Sequence, residues 1–199
     1  VENSYSNSAP KILIKSLGTF PVLVKGEVKE AGYENVNGLS RLSSVVKKLK
    51  TEYTSTRNVK VESRNGNSTY YDLFQASRHG EMSQDPYVRP GDTVVLRRAE
   101  RQVSVKGEVY RSGTYQLLPG EQLDELINGY GDGLTPTALS TEIEITRMGE
   151  FPESDTKTVY IDFSANNEKS SLELLNGDRV LVSDKLQYRP VVYFEGALV

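Results

Sequence analysis

The sequence predicts an α+β fold built from two consecutive units of the same design. One observation is the pentapeptide Val-Lys-Gly-Glu-Val, which occurs at residues 24–28 and again at residues 105–109. Another is the spacing of the glycines, because Gly107 follows Gly26 by 81 residues and Gly113 follows Gly32 by the same 81. A third is that each pentapeptide is followed by one helix-like stripe and then by further strand-like segments. Equal spacing of this kind indicates an internal repeat, and the repeat sets the number of domains.

The first unit contains one predicted helix among predicted strands. Apolar residues at helical spacing mark the helix; they are Leu39, Leu42, Val45, Val46 and Leu49. Alternating residues predict strands at 59–62 and 70–74. The turn Pro90-Gly91-Asp92 then leads into a closing strand at residues 93–96.

The second unit repeats this order. Its helical stripe consists of Leu123, Leu126, Ile127 and Tyr130, and strands are predicted at 143–146 and 159–163. The turn Asn176-Gly177-Asp178 leads into the closing strand at 179–182. Because Asp178 follows Asp92 by 86 residues, the second unit carries about five additional residues, which we place in the loop 148–157.

A hairpin, one helix laid across a small mixed sheet and further strands together make a β-grasp unit, which each copy fits in under 90 residues. The apolar residues of the helix become buried only when they pack on the apolar faces of the strands. Gly107 indicates either a bulge or the close approach of another backbone. Ser112-Gly113 indicates a turn with a positive φ at the glycine, and Pro119-Gly120 indicates a turn or a helix start.

We predict four segments along the chain. Residues 1–20 form an amino-terminal segment with one strand at 11–15, residues 21–100 the first β-grasp unit, and residues 101–187 the second. Residues 188–199 contain Val-Val-Tyr-Phe-Glu-Gly-Ala-Leu, which matches the opening strand of a third unit, with Gly196 in the position of Gly107. If so, the chain stops one strand into a third repeat. The alternative is that this segment adds an edge strand to the second unit.

The residue types needed for most catalytic and metal sites are scarce. The chain has no cysteine and a single histidine, so disulfides, thiolate nucleophiles and paired-histidine metal sites are excluded from this sequence. Carboxylates such as Glu62 and Glu144 alternate with apolar residues, which is typical of a solvated strand face. Asp132 lies between two glycines without the spacing of a calcium or phosphate loop. We therefore expect a protein that is not an enzyme and has no metal or cofactor.

Charge differs between the two halves of the chain. Residues 1–100 contain 15 Lys and Arg against 11 Asp and Glu, whereas residues 101–199 contain 9 against 16. The overall charge of −3 argues against nucleic acid as a partner, because phosphate binding needs a concentrated basic face. In a head-to-tail ring a basic face on one copy could meet an acidic face on the next. The candidates are Lys47, Lys48, Arg97 and Arg98 on one side and Glu121, Asp124 and Glu125 on the other.

The second unit resembles the SLBB domain, a soluble-ligand-binding β-grasp, and the first unit resembles it more weakly. The landmarks of this resemblance are Gly107, Gly113, Pro119, Gly120, Gly131, Gly133, Gly177 and Asp178 in the second unit, and Gly26, Gly32, Gly91 and Asp92 in the first. The first unit lacks the glycine-rich helix stop and has residues 51–57 there instead. Tandem SLBB domains are similar to the periplasmic part of Wza-type outer-membrane polysaccharide export proteins.

The resemblance implies association and not chemistry. It implies a periplasmic module of an outer-membrane protein that assembles as a ring around a polysaccharide conduit, with an inner-membrane export protein as a further partner. Two alternatives stay open, a glycan- or small-ligand-binding module and a protein-interaction scaffold. For ligand binding the candidates are Tyr110, Arg111 and Tyr115 beside the second glycine turn, with Tyr33 as the approximate counterpart of Tyr115. Tyrosines in strands also serve as ordinary packing residues.

Overall fold

The computed structural model describes residues 13–148, 156–164 and 172–186. The chain divides into two compact units, Val1–Arg98 and Ala99–Val199. Within these described residues each unit contains one five-stranded mixed sheet, so the fold is α+β. The predicted strand at 191–198 lies outside the described residues. The strand predicted at 11–15 is not formed at Leu13–Lys15, which belong to no helix or strand, and the first strand begins at Thr19.

In the first unit, the strands are β1 (Thr19–Gly26), β2 (Gly32–Asn37), β3 (Val59–Glu62), β4 (Ser68–Tyr71) and β5 (Thr93–Leu96). The helices are α1 (Leu42–Leu49), α2 (Leu73–His79) and a 3₁₀ turn (Met82–Gln84). The strand order across the sheet is β2-β1-β5-β3-β4, in which β1 and β5 are parallel and the other neighbours antiparallel.

Helix α1 forms because its apolar residues recur at helical spacing and face the sheet. Leu42, Val45 and Val46 are buried against the strands, as predicted, whereas Leu39 lies before the helix and is exposed. The amino terminus of α1 is capped from a distant segment, since the Asp85 carboxylate accepts hydrogen bonds from the Ser43 backbone N–H at 2.8 Å and from the Ser43 hydroxyl at 2.7 Å.

The predicted strand 70–74 is wrong in its second half. The strand ends at Tyr71 because the Asp72 side chain accepts hydrogen bonds from the backbone N–H groups of Phe74 and Gln75, and so begins helix α2. Asp72 also accepts two hydrogen bonds from Arg57, at 2.8 and 3.0 Å. The Arg57 side chain is only 4% exposed, so this ion pair ties the segment after α1 to the start of α2.

The second unit has β6 (Gln102–Gly107), β7 (Gly113–Gln116), a π-helix (Glu125–Tyr130), β8 (Ala138–Arg147), β9 (Lys157–Ile161) and β10 (Arg179–Asp184). Its strand order, β7-β6-β10-β8-β9, and its pattern of parallel and antiparallel neighbours reproduce those of the first sheet. The predicted helical stripe is buried at all four positions, although six residues adopt π geometry.

The strand registers locate the additional residues of the second unit. Ile145 pairs with Val159, 14 positions later, whereas Val61 of the first unit pairs with Thr69, 8 positions later. The longer β8–β9 connection therefore falls in the predicted loop 148–157. The second unit also has three more residues between the pentapeptide glycine and β8, and four fewer between β9 and the closing turn, which together with the longer connection give the net gain of five.

Candidate functional site

The repeated pentapeptide is the point where the first and last strands of each unit separate. Gly26 has a φ of +103° and Gly107 a φ of +86°. A Cβ atom on either glycine would lie 2.0 Å from a carbonyl oxygen, that of Leu96 or of Val182. The close approach of a backbone, one of the two predicted alternatives, is thus the reason for the glycine. The next residue then donates its N–H to that same oxygen at 2.9 Å in both units.

The glutamate of the pentapeptide connects the hairpin to the segment after the helix. In the second unit the Glu108 carboxylate accepts hydrogen bonds from the hydroxyls of Thr135 at 2.5 Å and Thr137 at 2.6 Å. These bonds stabilise the ionised form and hold the pKa of Glu108 below its ordinary value, although desolvation acts in the opposite direction. In the first unit Thr51 donates to the Glu27 carboxylate at 2.8 Å.

This glutamate–threonine contact was not predicted from the sequence. Thr54 also donates to the backbone oxygen of Glu27 at 2.7 Å, so Thr51 and Thr54 form in the first unit the link that Thr135 and Thr137 form in the second. The sequence does contain a sign of this contact, because the glutamate follows the glycine in both pentapeptides. The structural role of the threonines depends on the path of the chain after the helix, which local periodicity does not reveal.

The two predicted glycine–aspartate turns have the same geometry. Gly91 and Gly177 have φ values of +86° and +87°, which L-residues rarely adopt. Asp92 accepts a hydrogen bond from the Arg89 N–H at 2.8 Å, and Asp178 accepts one from the Leu175 N–H at 2.8 Å. Each aspartate therefore closes its own turn. The turn Leu118-Pro119-Gly120-Glu121 is closed in the same way, by a 2.6 Å hydrogen bond from the Leu118 N–H to the Glu121 carboxylate.

The structure brings Tyr110, Arg111 and Tyr115 together. The backbone N–H groups of Tyr110 and Arg111 donate to the carbonyls of Gly133 and Gly131, at 3.2 and 2.9 Å. The Arg111 side chain forms an ion pair with Asp132 at 2.7 Å. Asp132 has a φ of +59°. These contacts fasten the β6–β7 turn to the helix stop, so Arg111 is engaged within the protein.

Tyr115 packs against the helix of its own unit. Its ring is stacked on that of Tyr130 with the centroids 5.4 Å apart, and its hydroxyl donates to the Arg111 carbonyl at 3.0 Å. The buried Tyr130 in turn donates its hydroxyl to Glu121 at 2.7 Å. Among the predicted ligand-binding tyrosines of this unit, only Tyr110 is largely exposed, at 61%.

Tyr33 lies in the first unit and is not the counterpart of Tyr115. Val24 pairs with Gly32 and Val105 pairs with Gly113, so the residue equivalent to Tyr33 is Thr114. Since side chains alternate along a strand, Tyr33 and Tyr115 occupy opposite faces of their sheets. The predicted correspondence is therefore wrong by one residue. Tyr33 is 74% exposed and lines a shallow surface depression with Glu30 and Leu49.

The turn predicted at Ser112-Gly113 also differs in detail. Neither Gly32 nor Gly113 has a positive φ, and both begin the second strand of their unit. At Gly113 a Cβ atom would lie 3.3 Å from the Tyr115 ring, which crowds this position. The absence of a side chain at Gly113 therefore leaves room for the tyrosine ring and is not required by the backbone angle.

Several of the charged residues proposed for a ring interface contact neighbours within their own unit. Lys48 forms an ion pair with Glu34 at 2.5 Å, and Arg98 lies over the Tyr53 ring, 4.5 Å from its centroid. On the acidic side Asp124 accepts a hydrogen bond from Asn128 at 2.7 Å, and Glu125 accepts one from the Gln122 N–H at 2.7 Å. Arg97 lies over the Tyr70 ring at 5.5 Å.

Among residues 13–148, 156–164 and 172–186, no group of three or more acidic, histidine or cysteine residues could hold a metal ion. His79 ends helix α2 and packs edge-on against Phe74, with the ring centroids 6.1 Å apart. In the same described ranges no helix has the length and apolarity needed to cross a membrane.

No family model matches the sequence, and no curated protein matches it.

Proposed function

We propose that this chain is a non-catalytic periplasmic module of an outer-membrane polysaccharide export protein, acting in ring assembly and in the export conduit. In this proposal both units are β-grasp domains of the SLBB type. The observation that carries it is the duplicated topology. Both sheets have the same mixed strand order, and both units have the helix after the first hairpin. In both, the Gly-Glu pair of the pentapeptide lies where the first strand separates from the closing strand.

The open face of each sheet, away from the helix, supports association between copies. In the first unit, strand pairing aligns Lys25, Val95, Lys60 and Tyr70 across four strands. In the second unit, pairing aligns the equivalent residues Lys106, Leu181, Glu144 and Tyr160. We call these two rows the open-face stripes. Tyr70, Tyr160 and Leu181 are 51%, 58% and 41% exposed, so each stripe presents apolar surface to solvent.

The open-face stripes differ in charge at one position. Lys60 of the first unit contacts Glu62 at 2.7 Å, and Lys25 contacts the same carboxylate at 3.4 Å, which leaves this cluster with a positive charge. The equivalent of Lys60 in the second unit is Glu144. Opposite charges at matching positions favour a heterologous, head-to-tail contact between the first unit of one copy and the second unit of the next. Such a contact closes into a ring when the rotation allows.

Charge reversal tests this contact. Lys60→Glu and Glu144→Lys should each weaken association at least tenfold, since like charges meeting at an interface cost more than about 1.4 kcal/mol. The double variant should restore association. Sedimentation velocity over a range of protein and salt concentrations measures it. A parent chain that stays monomeric throughout would overturn the assembly part of the proposal.

The export role needs a test in the cell. Deleting the gene in its source bacterium should reduce extracellular polysaccharide, and re-expression of the parent gene should restore it. Immunoblotting of osmotic-shock and membrane fractions should place the protein in the periplasm or with the outer membrane. Unchanged polysaccharide together with a cytoplasmic location would contradict both the role and the proposed polysaccharide and inner-membrane partners.

A further inference from the structure

A cavity of about 270 Å³ lies beside the β3–β4 hairpin of the first unit. Its floor is the helix-facing side of the hairpin, where alternate residues share one face; these are Val61, Ser63, Asn67, Thr69 and Tyr71. The opposite wall is the segment 86–92, which contributes Tyr87, Arg89 and Asp92. All of these residues are separate from the tyrosine and arginine candidates near the glycine turns.

In the second unit an arginine side chain occupies the position that is equivalent to this cavity. Val61 pairs with Val94 and Ile145 pairs with Val180, the second residue of the closing strand in each unit. Ser63 therefore corresponds to Arg147, two residues further on. Arg147 donates to the two carboxylate oxygens of Asp178 at 2.9 and 2.7 Å. Asp178 is only 1% exposed. A guanidinium group thus supplies the donors that this buried turn carboxylate needs.

The first unit keeps the aspartate but replaces the arginine with a short side chain. Asp92, the equivalent of Asp178, is 7% exposed and lines the cavity. One of its oxygens accepts the Arg89 N–H at 2.8 Å. Burial of a carboxylate is costly unless donors surround it. Hydrogen-bond donors of a bound molecule would therefore be stabilised beside Asp92, at the position equivalent to that of the Arg147 guanidinium group in the second unit.

We propose that this cavity binds one ring of a sugar, whose hydroxyl groups donate to Asp92. Asp92 can only accept hydrogen bonds and Arg89 can only donate them, whereas the asparagine, serine and threonine side chains of the lining do both. Such a mixture matches a ring that carries several adjacent hydroxyls. Tyr71 and Tyr87 add aromatic surface for the apolar face of the ring. The presence of Arg89 disfavours a cationic ligand.

The size of the cavity agrees with a single ring. Pockets for drug-sized ligands occupy roughly 300–1,000 Å³, and this one is slightly smaller. The inference deepens the proposed function and rests on it only for the biological role of the sugar. Binding itself requires neither a ring nor export, so the two proposals can fail separately.

An NMR titration of the purified chain tests the site. The probes are glucose, galactose, N-acetylglucosamine and glucuronic acid, with free arginine as a guanidinium probe. At least one sugar should shift the amide signals of residues 61–71 and 86–92, with a dissociation constant of roughly 1–50 mM, in the range of a few hydrogen bonds. The proposal is overturned if no sugar shifts these signals at concentrations up to about 500 mM, which is ten times the upper end of that range. Binding of arginine alone, or sugar shifts confined to another surface, would overturn it as well.

Matched variants of one hairpin sharpen the test. Ser63→Arg should rebuild the Arg147–Asp178 arrangement, fill the cavity and weaken sugar binding at least tenfold. Ser68→Arg adds the same side chain on the exposed opposite face of the hairpin and should leave binding unchanged. Equal binding by the parent and Ser63→Arg would contradict the site.

A second variant covers the case in which Ser63→Arg disturbs the fold. Asn67→Ala retains the backbone hydrogen bond from the Ser63 N–H to the Asn67 carbonyl and removes only a lining amide. It should weaken binding roughly fivefold, the value of one hydrogen bond. Equal sugar binding by the parent and by Asn67→Ala would contradict the proposed contact between this amide and the sugar. Sedimentation of the same variant should match the parent, because the cavity lies away from the open-face stripes.

Discussion

Replacing Gly107 with alanine should destabilise the second unit by about 2–3 kcal/mol. Alanine in a left-handed backbone conformation costs roughly 1–2 kcal/mol. The new Cβ would lie 2.0 Å from the Val182 carbonyl oxygen, so one of the two backbones must move. That movement breaks the 2.9 Å hydrogen bond from the Glu108 N–H to the same oxygen, which contributes about 1 kcal/mol. The sum is a large share of the 5–15 kcal/mol typical of a domain.

Urea denaturation followed by circular dichroism measures this loss, and hydrogen exchange assigns it to one unit. Gly129→Ala is the matched control, because Gly129 lies in the π-helix with nothing within 4 Å of a new Cβ. It should be neutral or stabilising by up to about 1 kcal/mol. Gly26→Ala should have the same effect on the first unit as Gly107→Ala has on the second. A Gly107→Ala protein within about 1 kcal/mol of the parent would refute the steric argument.

Three side-chain contacts, those of Glu108, Arg57 and Arg111, contribute to stability to different degrees. The pKa of Glu108 is lowered in the folded state, so its hydrogen bonds stabilise the fold above the ordinary value of 4.5, and this stabilisation is lost as pH falls through the folded pKa. Thermal melting between about pH 6 and pH 3 should therefore depend less on pH in Glu108→Gln than in the parent. Arg57→Ala should cost about 3 kcal/mol in urea denaturation, because it leaves the Asp72 carboxylate without its buried partner. The double variant Arg57→Met with Asp72→Asn should recover much of that loss, and failure to recover would point to packing as the cause. Arg111→Ala should cost less than about 1 kcal/mol, since its ion pair is largely exposed, and a larger loss would show that the turn depends on the pair.

The order of the strands and of the first helix in each unit could be predicted because it depends on local patterns, whereas helix α2 of the first unit was not predicted. Apolar residues at helical spacing marked α1 and the π-helix, and alternation marked β3 and β8. The boundary at Asp72 was missed because a capping side chain ended a strand that its alternation would have continued. Tyr33 was matched approximately to Tyr115, but the pairing of Gly32 and Gly113 makes Thr114 its equivalent and places the two tyrosines on opposite faces of their sheets.

The candidate site was harder to predict, because its contacts join distant segments. Tyr110, Arg111 and Tyr115 flank the glycine turn in the sequence. The contacts of Tyr115 with Tyr130 and of Arg111 with Asp132 follow from the docking of the helix. The cavity beside Ser63 had no local signature at all. The strand pairing within each unit gives Ser63 and Arg147 equivalent positions, and this equivalence shows that the cavity lies where the second unit has an arginine.

The sequence by itself determined that the protein repeats one α+β unit, where α1, the helix of the second unit and both closing strands fall, and that a glycine is required in each pentapeptide. These features are local, since periodicity and glycine spacing act over a few residues. Only the tertiary structure decided which carbonyl approaches Gly107, which threonines bind Glu108, and which copy of the unit holds a cavity. Each of these depends on the closing of a sheet in which Val105 pairs with Val180, 75 residues later, and such pairing is set by the packing of the whole unit.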